Sequence, residues 1–141
     1  VDAYEGGNMV AVMDVPHEQT GSYGIVTPGA DDGRIVQVQG LVEKPDPSSA
    51  PSNIAVVGRY IITPEVFETL AAQERGAGGE IQLTDALAKQ IGKAPFSGVR
   101  FSGERFDCGS KLGFLQANVA FGLNNDAMRD QLRDWLGERL R

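Results

Sequence analysis

The sequence predicts an α/β fold in which helices cover a mixed β-sheet, and three observations lead to this expectation. Short apolar runs bounded by proline or glycine are typical of strands inside a sheet. Stretches with apolar residues at helical spacing follow them along the chain. The 18 glycines among 141 residues cluster in turns, as in a loop-rich α/β chain. The pattern contains fewer strands than such a sheet normally has, so we expect the sheet to be incomplete.

Five extended segments are expected, each bounded by turn residues. The segment Asp31 to Gly33 predicts a tight turn that joins the second and third strands as a hairpin. The Pro- and Ser-rich stretch 45–53 predicts an exposed connection. In chain order, the predicted strands lie at 8–15, 23–27, 35–44, 54–62 and 96–101.

Four helices are expected. Thr63 and Pro64 mark the first, because Thr is a common N-cap and Pro is tolerated in the first turn. Residues 76–79 are rich in glycine and break the chain before the second. The third starts at Ser110 and is apolar on two faces, which predicts burial between layers, and the last covers about 127–140. The apolar positions of the first two helices are Val66, Phe67, Leu70, Ala71, Leu83, Leu87 and Ile91.

Composition excludes several classes of function. A net charge of −6 argues against a nucleic-acid binder, which needs a basic face. No apolar run approaches the roughly 20 residues of a membrane span, and the first residues do not resemble a signal peptide. The only cysteine, Cys108, cannot form an internal disulfide, so we expect a cytoplasmic protein. The only histidine, His17, belongs to no motif, which argues against a nucleophilic triad or a zinc site.

Glu43-Lys44-Pro45 is the first candidate site. A carboxylate can accept hydrogen bonds from neighbouring sugar hydroxyls, and an ammonium one residue away can neutralise a phosphate. Pro45 disfavours helical backbone at Lys44, so we expect Lys44 to be extended at a strand end. The alternative is a solvated surface ion pair, which is common for adjacent Glu and Lys.

Asp107 is the second candidate, in the turn before the helix that starts at Ser110. Its carboxylate is the kind of oxygen ligand that Mg²⁺ prefers, and Gly109 would allow close approach. The alternative is that Asp107 caps the helix.

Two weaker signals leave their interpretation open. Gly24 and Gly58 lie in predicted strands, where glycine marks either close backbone approach to a ligand or a bulge. Glu80, Thr84 and Asp85 are typical residues of a helix start, and for Glu80 and Asp85 a functional role is the alternative.

Taken in order, five blocks carry more information than each does alone. They are YGIV, LVEKP, APSNIAVVGRYIITPEVF, GAGGEIQLTDALAKQ and FDCGSKLGFLQANVAFGL. Together they resemble the bacterial UTP–glucose-1-phosphate uridylyltransferases, from about residue 8 to 123. The last three blocks are the specific ones, since the broader superfamily shares only EKP, a strand ending in glycine and a late aspartate.

The resemblance implies the C-terminal part of a Rossmann-like three-layer α/β/α nucleotide-diphospho-sugar transferase fold. The implied reaction transfers a uridylyl group from UTP to glucose-1-phosphate, giving UDP-glucose and pyrophosphate, with Mg²⁺ as cofactor. Lys44 and Asp107 are the implied catalytic residues, and Asp107 is also the implied metal ligand. The residues implied to bind substrate are Gly24, Glu43, Lys44, Val56 and Gly58.

Three features of the family do not occur in residues 1–141: the glycine-rich triphosphate signature, the uracil-reading segment and the second acidic metal ligand. We therefore expect UTP to be bound by residues outside this chain, and the chain alone to be inactive or nearly so. We assign 1–124 to the sugar-phosphate part of the domain. Residues 125–141 form a helix, and its Trp135 and Leu136 are candidates for contact with another subunit of a homo-oligomer.

Two other functions stay open. One is a related nucleotidyltransferase that uses dTTP or another sugar phosphate, since the base-reading residues are not in this chain. The other is a non-catalytic module for sugar-phosphate binding or assembly.

Overall fold

A computed structural model describes residues 4–72 and 81–141 of the chain. They divide into two compact units, one ending at Phe101 and the other starting at Ser102. The sequence predicts a different boundary, between residues 124 and 125. That boundary separates two expected roles, sugar-phosphate binding and subunit contact, and these roles stay predictions. In this described part of the chain, the strands are β1 (Asn8–Asp14), β2 (Gly24–Asp31), β3 (Ile35–Glu43), β4 (Ile54–Ile61) and β5 (Phe96–Arg100). The α-helices of the same residues are α1 (Pro64–Ala71), α2 (Leu83–Ala88), α3 (Lys111–Leu123) and α4 (Arg129–Arg139).

The strands of the first unit form one mixed sheet in the order β1-β4-β2-β3-β5, and β5 returns to pair with β1. The β1–β5 pair is parallel and the other pairs are antiparallel. The predicted mixed sheet is therefore confirmed. The sheet is closed and not open, because each strand among the described residues pairs with a neighbouring strand on both sides. The pairing between β2 and β4 is short: within residues 4–72 and 81–141 it consists of Ile25 opposite Ala55.

The predicted hairpin is confirmed, and polar side chains hold its turn. Asp31 Oδ1 accepts a hydrogen bond from the Gly33 N–H at 2.9 Å, and Asp32 Oδ1 accepts one from the Ile35 N–H at 2.6 Å. Gly33 has a φ of 90°, which favours glycine. At the open end of the hairpin, this register places Gly24 directly opposite Glu43.

The core of the first unit lies between the sheet and the first two helices. Val66 of α1 and Leu87 of α2 are buried against valines of β1 and β3. The predicted helix starts are confirmed, but Phe67 is 60% exposed and does not belong to the apolar stripe. Ile91 lies beyond the end of α2, although it still packs against the core. The glycine-rich break at 76–79 falls outside the described residues.

The second unit corrects the prediction that α3 is buried on two faces. Phe114, Leu115 and Phe121 are 55%, 60% and 70% exposed. The residues of α3 that are buried are small ones, and one of them, Gly122, leaves room for α4: a Cβ there would lie 2.5 Å from Leu132 Cδ2. Within its own unit, α3 thus packs through small residues, which leaves its large apolar side chains outside the contact. No helix in the described part of the chain is both long and apolar enough to cross a membrane.

Arg100 joins three strands of the first unit. Its guanidinium donates to both carboxylate oxygens of Asp31, at 2.8 and 2.9 Å, and its Nε donates to Asp14 Oδ2 at 3.0 Å. Hydrogen bonds to Asp31 and Asp14 raise the pKa of Arg100, so this side chain stays charged. The same hydrogen bond from Arg100, followed by that of the Gly33 N–H, lowers the pKa of Asp31 below its ordinary 3.8.

We predict that Arg100→Met lowers the free energy of unfolding at neutral pH and that this effect fades in acid. Because the folded-state pKa of Asp31 is depressed, its stabilisation is present above the unfolded value of 3.8 and is lost as the pH falls through the lower folded value. Urea unfolding at a series of pH values measures the difference between the two proteins. Arg59→Met is the control, since Arg59 hydrogen bonds only to the neighbouring Gly58 carbonyl in the described structure. A difference that stays constant below pH 3.8 would contradict the assignment.

Candidate functional site

The Glu43 carboxylate lies beside Gly24 and the Thr84 hydroxyl at the open end of the hairpin. Glu43 is the last residue of β3 and is half-buried, whereas Gly24, the first residue of β2, is buried opposite it. Thr84 Oγ1 of α2 donates to Glu43 Oε2 at 2.6 Å. A Cβ on Gly24 would lie 3.2 Å from Glu43 Oε2 and 3.5 Å from Thr84 Oγ1. Glycine at position 24 therefore leaves the space that the carboxylate and hydroxyl occupy.

Lys44 differs from the sequence prediction. Its φ is 45°, in the left-handed region, so the predicted extended conformation is wrong. The Lys44 N–H donates to the Tyr23 carbonyl at 2.9 Å, which continues the β2–β3 pairing while the chain turns toward the buried Pro45. This conformation costs about 1–3 kcal/mol for a residue other than glycine. Glycine and asparagine adopt it more readily, so a lysine in this conformation is uncommon.

The surface ion pair considered for Glu43 and Lys44 does not form. Within residues 4–72 and 81–141, the ion pairs involve other side chains. Glu43 is held by Thr84, and the exposed Lys44 side chain is not tied to the neighbouring carboxylate. The two side chains can thus act on different groups of one ligand.

Gly58 lies in a bulge of β4. Val10 of β1 pairs with Tyr60 and Val12 pairs with Val56, so three β4 residues span a single residue of β1. Gly58 has a φ of 76°, and a Cβ there would meet no atom within 4 Å. Glycine is thus required by the backbone conformation of the bulge. The side chain of Val56 packs against the core, which leaves its backbone as the part that could face a ligand.

Tyr60 is a residue that the sequence analysis did not single out. Partial burial, and then the negative charge of Glu43, raise the pKa of its phenol above 10.0. The Tyr60 hydroxyl near Glu43 therefore keeps its proton throughout the physiological range. Its position in the strand APSNIAVVGRYIITPEVF, two residues after the bulge glycine, could have suggested it.

Asp107 belongs to the second unit, in the turn that precedes α3. Its Oδ1 accepts from the Gly109 N–H at 3.1 Å, and its carbonyl accepts from the Ser110 hydroxyl at 3.0 Å. Ser110 Oγ in turn accepts from the Gly113 N–H at 3.0 Å, so Ser110 is the N-cap. The interpretation of Asp107 as the cap is wrong, because a closer hydroxyl makes that contact.

The Asp107 turn fits the contribution of one carboxylate to a magnesium site. The carboxylate is exposed, and the turn engages Oδ1 and leaves Oδ2 out of its hydrogen bonds. Mg²⁺ is usually bound through one or two carboxylates, with phosphate and water completing the octahedron. No cluster of three or more His, Cys, Asp or Glu residues occurs among residues 4–72 and 81–141. Asp107 would therefore be one protein ligand among others.

The structure thus brings Gly24, Glu43 and Thr84 together in the first unit, with Lys44 next along the chain, and places Asp107 in the second. Thr84 was weighed only as an ordinary helix-start residue, yet it does not cap α2, whose N-cap is Gln82. Asp85 lies in the first turn of α2, and Glu80 falls outside the described residues.

Comparison with known proteins agrees with the resemblance seen in the sequence. A UTP–glucose-1-phosphate uridylyltransferase of Komagataeibacter xylinus is 55% identical over 131 residues, which cover 93% of this chain and 44% of that protein. A solved UDP-glucose pyrophosphorylase complexed with UDP-glucose matches at 37% identity with a TM-score of 0.78, over 84% of this chain and 45% of that chain. A UTP-bound UGPase from Acinetobacter baumannii matches at 34% identity with a TM-score of 0.80, over 94% of this chain and 45% of that chain.

The chain thus spans about half the length of the relatives it matches. The folds superpose at these TM-scores, which confirms the predicted nucleotidyltransferase architecture. The family model described as nucleotidyl transferase matches residues 1–122. On this match, the chain belongs to the nucleotidyl transferase family.

Proposed function

We propose that the whole protein transfers a uridylyl group from UTP to glucose-1-phosphate, giving UDP-glucose and pyrophosphate. The observation that carries this proposal is the Glu43 carboxylate held beside Gly24, with the strained and exposed Lys44 one residue further on. A sugar phosphate presents hydroxyls and a phosphate as neighbours, which matches an acceptor and a cation at this spacing. The names of the similar proteins support the choice of uridylyl transfer.

In this proposal, each side chain of the site has a separate task. Glu43 accepts hydrogen bonds from sugar hydroxyls and so fixes the orientation of the ring. The Lys44 ammonium neutralises the sugar phosphate, whose oxygen attacks the α-phosphorus of UTP. The backbones of Gly24, Val56 and Gly58 pack against the sugar. Positioning and charge neutralisation supply most of the catalysis in phosphoryl-transfer chemistry.

For Asp107, the proposed task is that of a metal ligand. When bound, Mg²⁺ would neutralise charge on the phosphates during transfer. Asp107 would supply an oxygen to it, held in place by the Ser110 and Gly109 hydrogen bonds. We propose that residues outside this chain bind UTP, that the chain alone turns over negligibly, and that the whole protein is a cytoplasmic homo-oligomer.

We predict that Lys44→Ala lowers kcat/KM for glucose-1-phosphate at least about 100-fold in the whole protein, because a positioned charge opposite phosphate is lost. The assay is pyrophosphate release from UTP and glucose-1-phosphate. Arg34→Ala is the control, since it removes one positive charge from an exposed position at the far end of β3. An absence of pyrophosphate release by the unmutated protein would refute the proposed function, and a competition series with dTTP would decide the nucleotide.

We predict that Gly113→Ala raises the Mg²⁺ concentration needed for half-maximal rate and lowers kcat about 10- to 100-fold. A Cβ at position 113 would lie 2.1 Å from the Asp107 carbonyl oxygen and 2.8 Å from Ser110 Oγ, so the turn that holds Asp107 must move. Displacements of about 1 Å can cost 100-fold in rate.

The control for this variant is Gly137→Ala in α4, where a Cβ meets no atom within 4 Å. It should leave the Mg²⁺ dependence unchanged. The same Mg²⁺ dependence in Gly113→Ala as in the unmutated protein would contradict the role given to Asp107.

A further inference from the structure

The hydrogen bond between Thr84 and Glu43 connects two elements that are 41 residues apart in the chain. At 2.6 Å from oxygen to oxygen, it has the length of a charge-assisted bond from a hydroxyl to a carboxylate. Such bonds are shorter and stronger than those between neutral groups. It is therefore able to hold the carboxylate in one orientation.

Thr84 itself is held in place by the core. Two residues further along α2, Ala86 is fully buried, and Leu87 is 1% exposed. Just after the helix, Gln90 is 5% exposed, and its Nε2 donates to Thr69 Oγ1 of α1 at 2.6 Å. The helix that carries Thr84 is thus fixed by the packing of Ala86 and Leu87 and, just beyond its end, by the hydrogen bond from Gln90 to Thr69.

Gly24 closes the other side of the carboxylate. The space that its Cβ would fill is bounded by Glu43 Oε2 and by both Oγ1 and Cγ2 of Thr84, all within 3.7 Å. Because Oε2 is the atom engaged by Thr84, Oε1 is outside this hydrogen bond. An ionised carboxylate accepts at both oxygens, so Oε1 can accept a hydrogen bond from a donor of a ligand.

We propose that Thr84 is a positioning residue, whose hydroxyl fixes Glu43 Oε2 so that Oε1 faces the hydroxyls of the sugar phosphate. This inference rests on the proposed function for the identity of the ligand. It assigns to Thr84 a role in sugar binding that acts through Glu43. Loss of the Thr84 hydroxyl then weakens the binding of the sugar phosphate and leaves the binding of the nucleotide unaffected.

The test compares Thr84→Val, which removes the hydroxyl at similar volume, with Thr84→Ser, which keeps it. In the whole protein, we expect Thr84→Val to raise KM for glucose-1-phosphate about 10-fold, the effect of losing a hydrogen bond to a charged group. We expect KM for UTP to stay unchanged and Thr84→Ser to bind nearly as well as the unmutated protein. In a Glu43→Ala background, Thr84→Val should have no further effect on KM.

A matched control is Thr20→Val, which removes a buried threonine hydroxyl that is hydrogen bonded in the same unit, to the His17 carbonyl. It should lower stability and leave both KM values unchanged. An equal rise of both KM values in Thr84→Val, or an undiminished effect in the Glu43→Ala background, would overturn the positioning role.

Crystal structures of Thr84→Val and Thr84→Ser provide a readout that does not depend on activity. We expect the Glu43 carboxylate to rotate or to take several orientations in Thr84→Val and to keep its place in Thr84→Ser. A Glu43 that keeps its orientation in Thr84→Val would refute the inference. If the unmutated protein releases no pyrophosphate, the proposed function fails, and the orientation of Glu43 in the two variants still decides whether Thr84 positions it.

Discussion

The antiparallel register of β2 and β3 is the constraint on which the site depends. Side chains alternate between the two faces of a strand, so a slip by one residue would turn Glu43 away from Gly24 and Thr84. That register is held at the opposite end of the hairpin, where Asp31 and Asp32 fold the turn. Arg100 reinforces it by tying Asp31 to β5. Between this turn and Glu43 the pairing shifts register on both sides of Pro28, so the position of the carboxylate depends on the regular pairing from Gly24 to Thr27 as well as on the turn.

Next to this carboxylate the backbone is strained, because Lys44 adopts a positive φ. Gly58, in β4, occupies a bulge. Because Gly24 has no side chain, it leaves the space in which Thr84 and Glu43 meet. Strained and irregular backbone of this kind persists where the surrounding structure over-determines it, and it is concentrated at functional sites. The strained backbone at Lys44 and the glycine at position 24 are therefore compatible with membership of the family.

Asp107 is organised by a different principle. Its geometry comes from a turn of four residues closed by Ser110 and Gly109, and Gly113 leaves room for its carbonyl. Nothing in this turn requires the sheet of the first unit.

The sequence by itself determined the strands, the helix starts and the turn at Asp31, since proline, glycine and apolar spacing act locally. The ordered blocks also identified the family and pointed to Glu43, Lys44 and Asp107. Only the tertiary structure decided the partner of Glu43, because Thr84 is 41 residues away and its own neighbourhood suggests a helix start. The tertiary structure also decided the φ of Lys44, where a hydrogen bond to Tyr23 outweighs the preference imposed by Pro45. It likewise decided which face of α3 is exposed. Local patterns cannot encode contacts that depend on which elements finally meet.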